Sequence, residues 1–467
     1  MEENREKFSS GLAVFFATLS SCVGLGNIWM FPYVVGENGG ATFILIYLAC
    51  VLIIGLPTLI SEFALGRQTR KNIYGAISSI TDKKMFRVIG IFGVTASFCM
   101  LFFYTVVTGW VYSYVFKALT GAFKGADAQQ VAAMFNQTSL GPISPILWQL
   151  LALVVGGIIL TMGVKSGIEK LTKTLMPVLI VLLALCAIRS VSLPNAMGGI
   201  DFLFKPDFSK VTFSVFLSAL GLAFFKLSVG TGSMVTYSSY FTDDNNLIAT
   251  GAKVAVADTC VSLIAGIAIF PAVFSFGQTP ASGPGLLFNT VPLIFSKMPG
   301  GTILAVVFFL LTAMAATMAM ISIMEVLIAT FSEQFKIGRV KAIIINIIII
   351  IVFGSLASLS ANPDAPLANV TIFGLTFFDF FNAIISNVLL PINGFLVTIL
   401  MGHVISNKVY TSQLTNDGTL KNEKLVNFIT FLVRYITPAL ILIVSPSRCR
   451  FLPADYRYAH DSSPQTL

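Results

Sequence analysis

Charged residues are unevenly spread, concentrated in the connections between long apolar stretches. Such stretches, near or above the roughly 20 residues that cross a hydrocarbon core, recur at Ser10–Val35, Ala41–Leu65, Val88–Leu119, Ile146–Val164, Leu171–Ile188, Val211–Phe241, Thr250–Phe276, Gly301–Phe331, Ala342–Leu356, Gly374–Val404 and Val426–Val444. They predict eleven membrane-spanning helices, numbered here as spans 1 to 11, in an all-α polytopic membrane protein. Composition agrees: the 467 residues are 56% hydrophobic and 11% charged, against roughly half and a quarter in soluble domains.

The first residues, Met1 to Lys7, mix charges and lead directly into span 1 without a small-residue cleavage site, so they do not read as a signal peptide. With the N-terminus cytoplasmic, most of the 29 Lys and Arg fall in inside loops, among them Arg67, Arg70, Lys71, Lys83, Lys84, Arg87, Lys165, Lys170, Lys173, Lys336, Arg339 and Lys341. Outside loops hold Lys117, Lys124, Arg189, Lys205, Lys210 and Lys297. This bias predicts a cell-membrane protein with its N-terminus inside. The net charge of +8 therefore reports topology, and lipid rather than nucleic acid is the expected surrounding. Cys22, Cys50, Cys99, Cys186 and Cys260 lie in apolar spans with no Cys-x-x-Cys. They read as core residues rather than disulfide or metal ligands. The absence of a Walker-type glycine loop argues against an ATP-driven pump, and no nucleophile, base and oxyanion constellation marks an enzyme.

Cys22-Val23-Gly24-Leu25-Gly26-Asn27 in span 1 has an echo in Ser228-Val229-Gly230-Thr231-Gly232-Ser233 of span 6. A lone Gly-x-Gly in a span is ordinarily a packing device. Matched copies in matching places of two five-span halves instead predict two helices broken mid-membrane. Broken backbone at that depth is tolerable only where it lines a cavity or a ligand. Exposed amides there attract a carboxylate and exposed carbonyls a cation.

Gly24-Leu25-Gly26-Asn27-Ile28-Trp29-Met30-Phe31-Pro32-Tyr33, followed by Glu37-Asn38-Gly39-Gly40, resembles the span 1 signature of the neurotransmitter:sodium symporter family. Glu62-Phe63-Ala64-Leu65-Gly66-Arg67, Phe224-Phe225, Leu227-Ser228-Val229-Gly230 and Arg434-Tyr435-Ile436-Thr437-Pro438-Ala439 extend the likeness along nearly the whole chain. Eleven spans fit the shorter bacterial amino-acid transporters. The resemblance implies a 5+5 inverted-repeat fold with broken spans 1 and 6: repeat 1 over about 10–190, repeat 2 over about 211–404, and an extra helix over 426–444. It also implies a bundle of spans 1, 2, 6 and 7 rocking against a scaffold, and secondary active symport of an amino acid with sodium by alternating access.

Carried over by position, the resemblance implies a substrate site made of the span 1 backbone at Ser21, Cys22, Gly24, Leu25 and Gly26, with Tyr104 on the substrate carboxylate. Met100, Phe225, Ser228, Thr231, Ala319 and Ile323 would surround the substrate side chain. Amine-transporting members carry Asp where this chain has Gly24, so an amino acid is expected, with an apolar or aromatic side chain.

The implied ion sites depart from the family. The first sodium site would use Cys22, Asn27 and Asp258, but its span 6 hydroxyl is replaced by Lys226. A lysine at that depth needs an anion, and Asp258 is the expected partner. Lys226 then either takes the place of the first sodium or forms a structural ion pair. The second site keeps the carbonyls of Ser20, Val23 and Ala315, but Met318 and Ala319 replace its hydroxyl pair. Thr317 lies one residue away, about 100° around a helix. The outer gate has Met30 and Leu222 in place of Arg and Gln, whereas Arg5, Glu333 and Tyr240 occupy the positions of the cytoplasmic gate. A sodium-independent or proton-coupled carrier, with Lys226 replacing a bound sodium, remains an alternative, as does a non-transporting sensor or channel. The polar segment 445–467 reads as a disordered or non-native tail.

Overall fold

The computed structural model describes residues 6–81, 83–278 and 285–450, apart from the side chains of 210 and 444–450. Arg5, His460 and the tail beyond 450 lie outside the described residues. Among the described residues, nine helices are long and apolar enough to cross a membrane: Ala41–Thr69, Lys84–Leu119, Ser144–Thr161, Val164–Val191, Leu247–Ser275, Gly301–Phe335, Arg339–Ser358, Phe377–Val404 and Glu423–Ile443. They are spans 2 to 5 and 7 to 11. Span 1 is a pair, Gly11–Cys22 and Gly26–Glu37, bent by 53° at its break. Span 6 is likewise divided, into Phe213–Lys226 and Ser233–Ser238. Among the described residues these elements account for the eleven expected spans.

Local sequence explains where many elements begin. Ser10, Asn72, Thr212, Asn246 and Thr376 each accept a first-turn amide with their side chains, satisfying donors that a helix start leaves bare. Several spans run beyond their apolar cores. Span 3 begins at Lys84 instead of Val88, span 5 at Val164 instead of Leu171, and span 9 at Arg339 instead of Ala342. Long basic side chains reach toward a polar boundary while their backbone stays helical. The last helix continues to Arg450, past the expected end at Val444.

Spans 2, 7 and 8 have 61% of their most apolar window buried, against 33% for spans 5 and 9, which places the former at the centre and the latter at the rim. Ile344, Ile348 and Val352 form an exposed stripe on span 9, one helical turn apart, as a lipid-facing surface requires. Cys260 departs from expectation: it is exposed on span 7, and Cys99 is half-buried. Both lie on helix faces turned away from the packed side.

Small residues set the closest approaches. A Cβ at Gly66 in span 2 would collide with the Val235 carbonyl and Ser238 Oγ of span 6. Because the obstruction is backbone, a side chain there requires the two helices to separate. Gly66→Ala is expected to destabilise the protein by about 1–3 kcal/mol, read as a lowered melting temperature in detergent. An unchanged melting temperature would show that this contact is slack.

Candidate functional site

In an unbroken helix each carbonyl accepts from the amide four residues on. At the span 1 break those amides are directed elsewhere. Gly24 N–H donates to Asn27 Oδ1 at 3.2 Å, Leu25 N–H to Tyr104 Oη at 3.0 Å, and Asn27 N–H to the Gly24 carbonyl at 3.1 Å. The carbonyls of Ser20, Ser21 and Val23 thereby lose their usual donors. Ser228 Oγ of span 6 takes up the Ser21 carbonyl at 2.6 Å, so the two breaks are joined directly.

The span 6 break follows the same rule. Gly230 and Gly232 have φ of 86° and 80°, and Ser228 has 52°, a region natural to glycine and costly to serine. Gly230 N–H donates to Glu62 Oε1 at 2.7 Å, and its carbonyl accepts from Asn393 Nδ2 at 2.6 Å. Ser97 Oγ donates to the Thr231 carbonyl at 2.9 Å. Buried polar side chains on spans 2, 3 and 10 thus replace the hydrogen bonds that the break gives up.

The structure brings most expected substrate residues together here. A Cβ on Gly24 would lie 2.5 Å from Tyr104 Oη and 2.7 Å from Ala319 Cβ, so position 24 admits no side chain as packed. Phe225 lies across Gly26, with a ring carbon 3.3 Å from where a Cβ would stand. Met100, Cys22, Leu25, Phe225, Ala319 and Ile323 are buried. Thr231 Oγ1 donates to the Ser228 carbonyl at 2.8 Å and bonds Ser233 Oγ, so its polar end serves the break. Ser21 Oγ is buried and makes no hydrogen bond among the described residues.

Beside the break sits an ion pair. Lys226 Nζ is 3.0 Å from Asp258 Oδ2, both side chains fully buried. It also donates to Tyr47 Oη at 3.0 Å and to Ser262 Oγ, and lies 4.9 Å and 5.0 Å from the centroids of the Phe31 and Tyr47 rings. Asn27 Nδ2 donates to Asp258 Oδ1 at 2.7 Å and to Ser262 Oγ at 2.9 Å. Sequence reasoning identified Lys226, Asp258 and Asn27 but missed Tyr47 and Ser262. Ser262 was findable, since it stands one helical turn after Asp258.

At the second ion position, Met318 and Ala319 bring no oxygen. Thr317 does not compensate: its hydroxyl donates to the Ala313 carbonyl at 2.7 Å and bonds Tyr112 Oη at 2.6 Å. Of the carbonyls expected there, those of Ser20 and Val23 have lost their helical amides, whereas Ala315 stands inside the continuous helix Gly301–Phe335. At the outer gate position Met30 is half-buried and Leu222 buried.

At the N-terminal end of the bundle, Tyr240 Oη donates to Glu325 Oε1 at 2.8 Å, and Arg339 holds both oxygens of the same carboxylate. Glu333 accepts from Asn72 N–H at 3.1 Å and Nδ2 at 2.6 Å. Of the residues expected in the cytoplasmic gate, Tyr240 is thus bonded to Glu325 and Glu333 to Asn72, while Arg5 lies outside the described residues. Phe8 is buried against Tyr237, Tyr240 and Phe241 and anchors the segment before span 1.

Residues 5–134 and 128–461 match the sodium:neurotransmitter symporter family. An uncharacterized sodium-dependent transporter of Bacillus subtilis (strain 168) is 34% identical over 443 residues, 95% of this chain and 97% of the relative. Another from Haemophilus influenzae is 34% identical over 455 residues, covering 95% and 98%. The crystal structure of MhsT in complex with L-phenylalanine superposes with a TM-score of 0.89 at 38% identity, covering 95% of this chain and 100% of that one.

Removing one member of the buried pair leaves the other charge stranded. Asp258→Asn or Lys226→Met is expected to cost about 3–5 kcal/mol, while Lys226→Met with Asp258→Leu costs much less than the sum. Thermal unfolding of the three variants measures this coupling, and additive losses would mean that the two charges do not interact.

Proposed function

The chain belongs to the sodium:neurotransmitter symporter family, and from this membership we propose that it moves an amino acid across the membrane by sodium-dependent symport. The observation that carries the reading is the broken span 1, whose Leu25 N–H is bonded to the Tyr104 hydroxyl. Tyr104 Oη accepts in that bond and so keeps its own proton to donate. A carboxylate placed there would accept hydrogen bonds from the Tyr104 hydroxyl and from the amides that open the second half of span 1, where the helix dipole favours an anion. Gly24 supplies closeness, because any side chain would meet Tyr104 and Ala319. It also leaves the site without a carboxylate of its own, as a substrate carrying one requires.

Met100, Phe225 and Ile323 would receive the substrate side chain, with Cys22, Thr231 and Ala319 as the smaller walls. Large apolar groups flanked by small ones favour an apolar or aromatic amino acid, and the L-phenylalanine of the MhsT complex is of that class. Alternating access follows from the join between the breaks. With Ser228 Oγ on the Ser21 carbonyl, spans 1 and 6 would rock together and open the midplane site to either side of the membrane in turn. The positive-inside bias supports a cytoplasmic N-terminus. The inner gate would be formed there by Arg5, Tyr240 and Glu333, with Tyr240 bonded to the Glu325 carboxylate that Arg339 also binds.

In proteoliposomes, radiolabelled L-phenylalanine or L-leucine is expected to accumulate under an inward sodium gradient and not with choline in its place. Tyr104→Phe should weaken binding roughly ten- to a hundredfold, since a hydrogen bond to a charged group is worth about 1.5–3 kcal/mol. Preference for glycine or a charged amino acid would overturn the assigned side-chain class. No saturable uptake of any amino acid would overturn the transport reading.

A further inference from the structure

The polar cluster beside the span 1 break is a complete cation site whose occupant is part of the chain. An ammonium has three N–H donors. Lys226 Nζ meets three oxygens, from Asp258, Tyr47 and Ser262, and the Phe31 and Tyr47 rings flank it. Aromatic faces attract a cation where water does not reach. The charges also balance, one ammonium against one carboxylate.

The residues that would hold a metal ion at this place are committed otherwise. Asn27 Oδ1, the one side-chain oxygen it could offer a cation, accepts Gly24 N–H. Its amide nitrogen faces Asp258 and Ser262. Both ends are fixed by their partners, since Gly24 N–H requires an acceptor and the Asp258 oxygens a donor. A hard cation needs an oxygen shell, and the first position presents an amide nitrogen and an ammonium instead.

We infer that the Lys226 ammonium permanently fills the first of the two cation positions implied by the family resemblance, so that no sodium binds there. Lys226 and Asp258 thereby set the number of ions moved per amino acid. The inference deepens the symport reading and rests on it for its consequence. The site itself can be tested without transport.

Equilibrium binding of radioactive sodium to the purified full-length protein, at constant ionic strength with choline, tests the inference. The wild type is expected to bind no more than one sodium per chain, and Lys226→Thr with Asp258→Asn to bind one more. That pair of substitutions supplies a hydroxyl and an amide oxygen while removing both charges. Two sodium ions on the wild type would overturn the inference, as would a folded double variant that gains none. Should the double variant fail to fold, the wild-type count decides alone. Failure of the symport reading would show separately, as absent amino-acid uptake with the sodium count unaffected.

Discussion

In the hydrocarbon core no water is available to a peptide group that has lost its helical partner, and each such group left bare costs several kcal/mol. Two breaks at mid-membrane depth therefore dictate much of what surrounds them. Asn27 and Tyr104 take the amides of Gly24 and Leu25, Glu62 and Asn393 take the two sides of Gly230, Ser97 takes the Thr231 carbonyl, and Ser228 ties one break to the other. These side chains come from spans 1, 2, 3, 6 and 10, so the demand for backbone satisfaction fixes how five spans meet. The same geometry creates function, because the breaks are where a carboxylate can be offered amides and a cation carbonyls.

A second constraint is charge. One buried ion far from water is prohibitive, and a buried pair is tolerable when each member is also hydrogen-bonded. Lys226 and Asp258 meet that condition through Tyr47, Ser262 and Asn27. Holding the cation on a side chain makes it a fixed part of the site, unable to leave with the substrate. That distinction separates a residue that shapes the pocket from an ion that carries a gradient.

The spans were legible because length and apolarity are coarse signals that survive without knowledge of packing. The broken spans were legible because Gly24-Leu25-Gly26 and Gly230-Thr231-Gly232 repeat, and the partnership of Lys226 with Asp258 followed from the difficulty of burying either alone. Tyr47 and Ser262 escaped notice because a single hydroxyl in an apolar span carries no signal until its neighbour is known. The orientation of Thr317 toward Tyr112 and of Tyr240 toward Glu325 depends on rotation and contact between helices, which periodicity does not encode. The exposed Cys260 shows the same limit, since an apolar span facing lipid on one side and protein on the other offers little contrast between them. Short helices such as Ile73–Ile80 and Ala128–Ser139 lie in the connections, where no long apolar run marks an element.

The most direct test of the account is an experimental structure of the full-length protein with an apolar amino acid bound in sodium buffer. The account predicts the substrate carboxylate on the amides of the span 1 break and the Tyr104 hydroxyl, with Lys226 Nζ still seated among Asp258, Tyr47 and Ser262. A Lys226 side chain swung out of that cluster, with a separate cation held between Asn27 and Asp258, would contradict it.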